Sequence, residues 1–346
     1  MKKAMIEIDR LVKNFGDFTA VSDLSFAVES GEVMGFLGPN GAGKSTTMKM
    51  ITGFLRPTSG TARICGLDIC TAPLAAQAKL GYLPEGAPAW PDMTPRAFLQ
   101  FITRIRGLDK AAARAAESRA IGMTELHGVL DQPIDTLSKG FRRRVGLAQA
   151  IVHDPDVLIM DEPTDGLDPN QKFQVRQAIE EMAQKKAIII STHILEEVDA
   201  ICDRALIIDR GAIVAEGTPG QLAARSRYYG AVTVTLDSSL ADAALAALAG
   251  LDDTRLEHDR RGDETQISVF AEKDGAPEAL LAATRQALGQ ADIAPRAVAL
   301  ETGRLDDVFG ALTGKPRGSQ TKDKVAEKAA EKAGQKAGEK PEAAAL

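Results

Sequence analysis

Short apolar runs alternate with turn signals along the first third of the chain. MIEID and LSFAV read as strands, and EVMGFLG reads as a buried strand running into a glycine-rich loop. From Lys44 the spacing in KSTTMKMITGFL turns helical, and residues from about Asp92 to Gly128 keep a helical texture with almost no strand signal. Strand character resumes at DVLIMDEP and then alternates: helix at QKFQVRQAIEEMAQK, strand at AIIIS, helix at ILEEVDAICD, strands at RALIIDRG and AIVAEG. Strands alternating with helices in this way predict a parallel sheet covered on both faces.

After Thr218-Pro219-Gly220 the texture changes. AVTVTLD, SLADAALAALAG, DTRLEHD, TQISVFA, APEALLAATRQALG and DIAPRAVAL follow in the order β-α-β-β-α-β, the ferredoxin-like pattern. The chain is therefore expected to divide into a first domain over 1–222, a small ferredoxin-like α+β domain over 228–313, and a tail over 315–346. Lysines 324, 328, 332, 336 and 340 recur every four residues in that tail, so a helix would stack like charges on one face. Disorder is the expectation there.

Charge and cysteine content narrow the function classes. The net charge is −6, and from Lys315 onward eight Lys/Arg stand against five Asp/Glu, so the acidic excess lies in the part expected to fold. An acidic body argues against a nucleic-acid partner. Three scattered cysteines (Cys65, Cys70, Cys202) make neither a disulfide framework nor a zinc site, and fit a reducing compartment. Charges interrupt the residues after Met1-Lys2-Lys3, so no signal peptide is expected, and no stretch is apolar for long enough to cross a bilayer.

The chemistry sits in two motifs. Gly38-Pro39-Asn40-Gly41-Ala42-Gly43-Lys44-Ser45 fits G-x-x-x-x-G-K-[ST] between an expected strand and an expected helix. Glycines let backbone N–H groups converge on phosphate, the helix that continues through Thr46 adds a positive end, Lys44 reaches the β- and γ-phosphates, and Ser45 offers a hydroxyl to Mg²⁺. Further on, the apolar run Val157–Met160 ends in Asp161-Glu162. Carboxyl ends of parallel strands are where ligands sit, so Asp161 suits Mg²⁺ and Glu162 suits a general base for the attacking water.

Between these motifs lies Leu137-Ser138-Lys139-Gly140-Phe141. This resembles the LSGGQ signature of ATP-binding cassette (ABC) proteins, with Lys139 and Phe141 as departures. Gly166-Leu167-Asp168 is similar to the family's D-loop, His193 to its switch histidine, and Phe15 to its adenine-stacking aromatic. Glu85, in Gly81-Tyr82-Leu83-Pro84-Glu85, stands where the family usually has Gln; its carboxylate can still meet Mg²⁺ or its water. The resemblance spans about residues 4–222 and implies a P-loop NTPase cassette with a parallel core sheet, an antiparallel β subdomain and a helical signature subdomain. It also implies an ATPase working as a head-to-tail pair, in which Ser138 and Gly140 bind the γ-phosphate held by the other copy.

YLPE and the Leu305-Asp306-Asp307-Val308-Phe309 ending resemble ABC-2 export cassettes, implying a peripheral subunit on the cytoplasmic face of the cell membrane beside an integral membrane permease. An import cassette is the nearer alternative. A soluble ABC ATPase acting on nucleic acid or ribosomes is the more distant one, since the motif gap of about ninety residues carries no sustained heptads.

Overall fold

The computed structural model describes residues 3–87, 89–273 and 276–314. The chain opens with a hairpin of β1 (Ala4–Phe15) and β2 (Phe18–Glu29), then β3 (Glu32–Leu37), α1 (Lys44–Ile51), β4 (Ser59–Ile64), β5 (Leu67–Asp68), α2 (Pro73–Ala78) and β6 (Leu80–Leu83). Three helices follow, α3 (Pro95–Ile105), α4 (Lys110–Met123) and α5 (Lys139–Ile151). Alternation then returns with β7 (Val157–Asp161), α6 (Pro169–Ala183), β8 (Ala187–Thr192), α7 (Leu195–Ile201), β9 (Arg204–Asp209), β10 (Ala212–Gly217) and α8 (Pro219–Ala223). The last stretch holds β11 (Val232–Asp237), α9 (Ala241–Leu248), β12 (Thr254–Arg261), β13 (Glu264–Ala271), α10 (Pro277–Gln290), β14 (Ala297–Leu300) and α11 (Leu305–Thr313).

The central sheet has the order β10-β9-β3-β8-β7-β6, parallel except for β10 at one edge. Every residue of β3, β7 and β8 is buried, because successive side chains enter different cores. Met34, Phe36, Val157, Ile159 and Ile189 face α1 and the antiparallel sheet β2-β1-β4-β5. Val33, Leu37, Leu158, Met160, Ile188 and Ile190 face α3, α5, α6 and α7. Each such burial contributes roughly 1.5–3 kcal/mol, which is why these short runs read as strands without any alternation.

The structure is an α/β P-loop cassette of the expected class, with two departures in its elements. The hairpin strands are twelve residues each rather than five, since bulges let polar residues such as Asp9 and Asp23 stay on the outer face. β4, β5 and β6 had no clear hydrophobic pattern; pairing with β1, β4 and β7 defines them.

The ferredoxin-like unit forms its own antiparallel sheet, β12-β13-β11-β14, over α9 and α10. Sequence places residues 305–313 in this unit. Instead α11 buries Leu305, Val308 and Phe309 in the same core as Ala205, Ile207, Ala215 and Leu222 of the first unit. The connection is pinned by Arg227 on Asp307 at 3.3 Å and by the Arg304 guanidinium 4.1 Å from the Tyr228 ring centroid. The tail over 315–346 lies outside the described residues. Among the described residues no helix is long and apolar enough to cross a membrane.

Candidate functional site

The loop Gly38–Ser45 joins the buried end of β3 to the start of α1. Gly43 is the residue before the helix and holds φ +103; a Cβ there would stand 2.6 Å from the Ala20 carbonyl oxygen. Gly38 is equally tight, with the Ile208 carbonyl oxygen 2.5 Å from where a Cβ would be. These clashes explain the two glycines: the loop passes too close to the backbone of β2 and β9 to carry side chains there. Lys44 is buried and its ammonium donates to the carbonyls of Gly38 at 2.6 Å and Pro39 at 3.1 Å. Burial lowers its pKa below the ordinary lysine value, while the carboxylates of Glu162, Asp161 and Glu85 pull it back up. All three carboxylates therefore lie within electrostatic reach of the same cation.

Asp161 is the last residue of β7, 2% exposed, and accepts a hydrogen bond from the Ser191 hydroxyl on neighbouring β8. Glu162 follows in the left-handed backbone region at φ +51, with its N–H donating to the Ser191 carbonyl at 3.0 Å. His193 leaves the end of β8 and meets Glu162: Nδ1 to Oε1 is 2.8 Å. That contact raises the His193 pKa above its usual value, against the opposing effect of burial. Three strand ends thus bring together Lys44, Asp161, Glu162 and His193, which are far apart in sequence.

The remaining sequence candidates stand differently. Ser45 and Thr46 are half-buried in the first turn of α1, and Glu85 is exposed on the loop after β6. Phe15, half-exposed, ends β1 with the Lys13 ammonium 5.0 Å from its ring centroid. Ser138 caps α5 by accepting from the Phe141 N–H at 3.3 Å, and Gly140 packs against Gln171, whose side chain completes the capping box of α6. Neither Ser138 nor Gly140 makes a described hydrogen bond to the Lys44 cluster. Lys139, the departure from the signature, pairs with Asp165 at 2.9 Å.

Sequence reasoning did not single out Ser191, Glu197 or Arg143. Glu197 on α7 is 1% exposed and receives the hydroxyls of Thr164 and of Thr192, the latter at 3.1 Å, and the Lys172 ammonium at 3.1 Å. It ties the turn after Glu162 to the turn before His193. Nothing in Glu196-Glu197 marks which carboxylate turns inward; only the docking of α7 decides it.

Comparison with known proteins sets this geometry in a family. The family described as ABC transporter matches residues 21–165. The Nod factor export ATP-binding protein I of Paraburkholderia xenovorans is 41% identical over 225 residues, covering 65% of this chain and 74% of that protein. The chain belongs to the ABC transporter family of ATP-binding subunits. As an ABC cassette it binds and hydrolyses ATP. A second ABC relative, the probable multidrug ABC transporter ATP-binding protein YbhF of Escherichia coli, is 38% identical over 65% of this chain and 39% of its own length. Among solved structures, an ATP-binding subunit of an ABC transporter superposes with a TM-score of 0.59 at 28% identity, covering 63% of this chain and 91% of that one. The CbiO1 subunit of an ABC transporter complex from Clostridium perfringens gives 0.59 at 27%, covering 65% and 92%.

Proposed function

We propose that this ABC subunit is the motor of an export system, working as a head-to-tail pair of identical chains beneath a separate integral membrane permease. In this reading it sits peripherally on the cytoplasmic face of the cell membrane. Support for export comes from relatives at 41% and 38% identity whose names carry Nod factor export and multidrug transport. Support for a protein partner comes from apolar side chains left in solvent: Phe54, Leu74, Trp90 and Ile105 are each more than half exposed.

The observation that carries the hydrolytic reading is the 2.8 Å contact of Glu162 with His193 beside Lys44 and Asp161. Lys44 and the backbone N–H groups of Gly41–Thr46 hold the phosphates, and Phe15 stacks on the adenine. Glu162 accepts the proton of the water that attacks the γ-phosphorus. His193 holds Glu162 through Nδ1, which leaves the other ring nitrogen for a γ-phosphate oxygen. Ser138 and Gly140, at the positive end of α5, meet the γ-phosphate bound by the partner chain. The Mg²⁺ that the family implies suits the donors present, since Asp161, Ser45 and Glu85 offer hard oxygens; bound with ATP, it would neutralise phosphate charge.

Glu162→Gln tests this directly. Loss of a general base costs roughly 10²–10⁴-fold, so turnover should nearly vanish while ATP binding persists. The variant should accumulate as an ATP-bound dimer on gel filtration with MgATP and remain monomeric with MgADP. Turnover at the wild-type rate would remove Glu162 from the base role and leave Glu85 as the next carboxylate to examine.

A further inference from the structure

Arg143 is a buried cation that the chemistry above does not use. It is the fifth residue of α5, 5% exposed, about 7.5 Å along the helix axis from the Ser138 cap. Its guanidinium donates to the backbone carbonyls of Asp161 and Glu162 through Nη2, of Pro163 through Nε at 3.3 Å, and of Pro84 through Nη1 at 3.1 Å. Among the described residues it makes no hydrogen bond to a carboxylate. Yet the carboxylates of Asp165, Asp161, Glu162 and Glu85 all act on it through space. It thus balances a cluster of negative charge without itself occupying any of those carboxylate oxygens.

We propose that Arg143 is a positioning residue for hydrolysis, a strut that ties the signature helix α5 to the turn carrying Glu162 and to the loop carrying Glu85. Three neighbouring carbonyls in its grip hold Glu162 at φ +51, a backbone setting that a glutamate adopts only when its surroundings fix it. Pro84 immediately precedes Glu85, so the same planar fork sets both carboxylate-bearing segments at once. This rests on the reading that Ser138 serves the ATP of the partner chain. When that phosphate seats at the start of α5, Arg143 passes the helix's displacement to the opposite face of the same chain, where its own ATP is hydrolysed. One site is thereby informed that the other is loaded.

The test compares Arg143→Gln, Glu85→Gln and the double variant in the intact chain. Misplacing a reacting group by about 1 Å costs on the order of 10²-fold. Arg143→Gln should therefore lower kcat by about that factor, with the KM for ATP and MgADP affinity within about twofold of wild type. The double variant should lose no more than the worse single variant, because both act on one assembly. Unchanged kcat per folded chain, a parallel loss of nucleotide affinity, or fully additive losses would each overturn the proposal. Should Arg143→Gln not fold, Arg143→Lys keeps the buried charge but loses the fork, and the same three readouts apply. Ser138→Arg separates this inference from the one beneath it: wild-type turnover in that variant removes the head-to-tail reading, whatever the Arg143 variants do.

Discussion

Glu162 and His193 show how a site is set residue by residue. The two are 31 positions apart, and only the adjacency of β7 and β8 brings Oε1 and Nδ1 to 2.8 Å. Their contact has a consequence for pH. His193 has a folded-state pKa raised, chiefly by its hydrogen bond to Glu162, above the ~6.5 of an unperturbed histidine. The imidazolium–carboxylate pair therefore stabilises the fold fully below pH ~6.5 and loses that contribution as pH rises through the raised value. In an NMR titration His193 should have its midpoint above ~6.5 in the wild type, and Glu162→Gln should bring it back toward that value. A midpoint unmoved by the substitution would mean that Glu162 does not hold the imidazole in solution. At this scale the glycine-rich turn before α1 was legible, because its eight consecutive residues carry the whole pattern. Arg143 and Glu197 were not, since a charged residue on an amphipathic helix looks the same whether it faces water or a row of carbonyls.

Among the elements, α5 and α11 decide the most. The N-terminus of α5 is capped by Ser138, whose side chain accepts from the Phe141 N–H. Ser138→Arg should leave MgATP binding to the monomer near wild type and abolish both dimer closure and hydrolysis. Equilibrium dialysis and gel filtration measure the two separately. The sequence marked α5 through its signature motif, but α11 carried only a short family-like ending. In the structure α11 closes the first unit's core with Leu305, Val308 and Phe309 against Ala205, Ile207 and Leu222. Phe309→Ala should therefore destabilise the cassette itself by about 3 kcal/mol. Urea unfolding followed by loss of nucleotide binding would report it; a change confined to the ferredoxin-like unit would show that α11 does not support the ATPase.

For the whole molecule, the tail and the two sheet units pose different questions. Residues after Gly314 are rich in Lys, Ala and Glu, with Val325 and Leu346 as the large aliphatic side chains in that sequence. Truncation there should leave ATPase turnover within about twofold, whereas a collapse in turnover would give the tail a structural role. Cutting before α11 should be far more damaging, because that helix fills the core of the first unit.

Sequence by itself determined the ATP chemistry and the α/β class: contiguous motifs need no tertiary information, and fully apolar strands alternating with helices leave few other solutions. Tertiary structure decided what depends on approach between distant segments. It paired β4, β5 and β6 with strands whose partners lay elsewhere, and joined His193 to Glu162. It also turned Arg143 inward onto four carbonyls and docked α11 on the first unit rather than the second. The physical reason is the same in each case. A local pattern records which face of an element is apolar, but the partner of that face, and the fate of any buried charge on it, exist only after the elements pack.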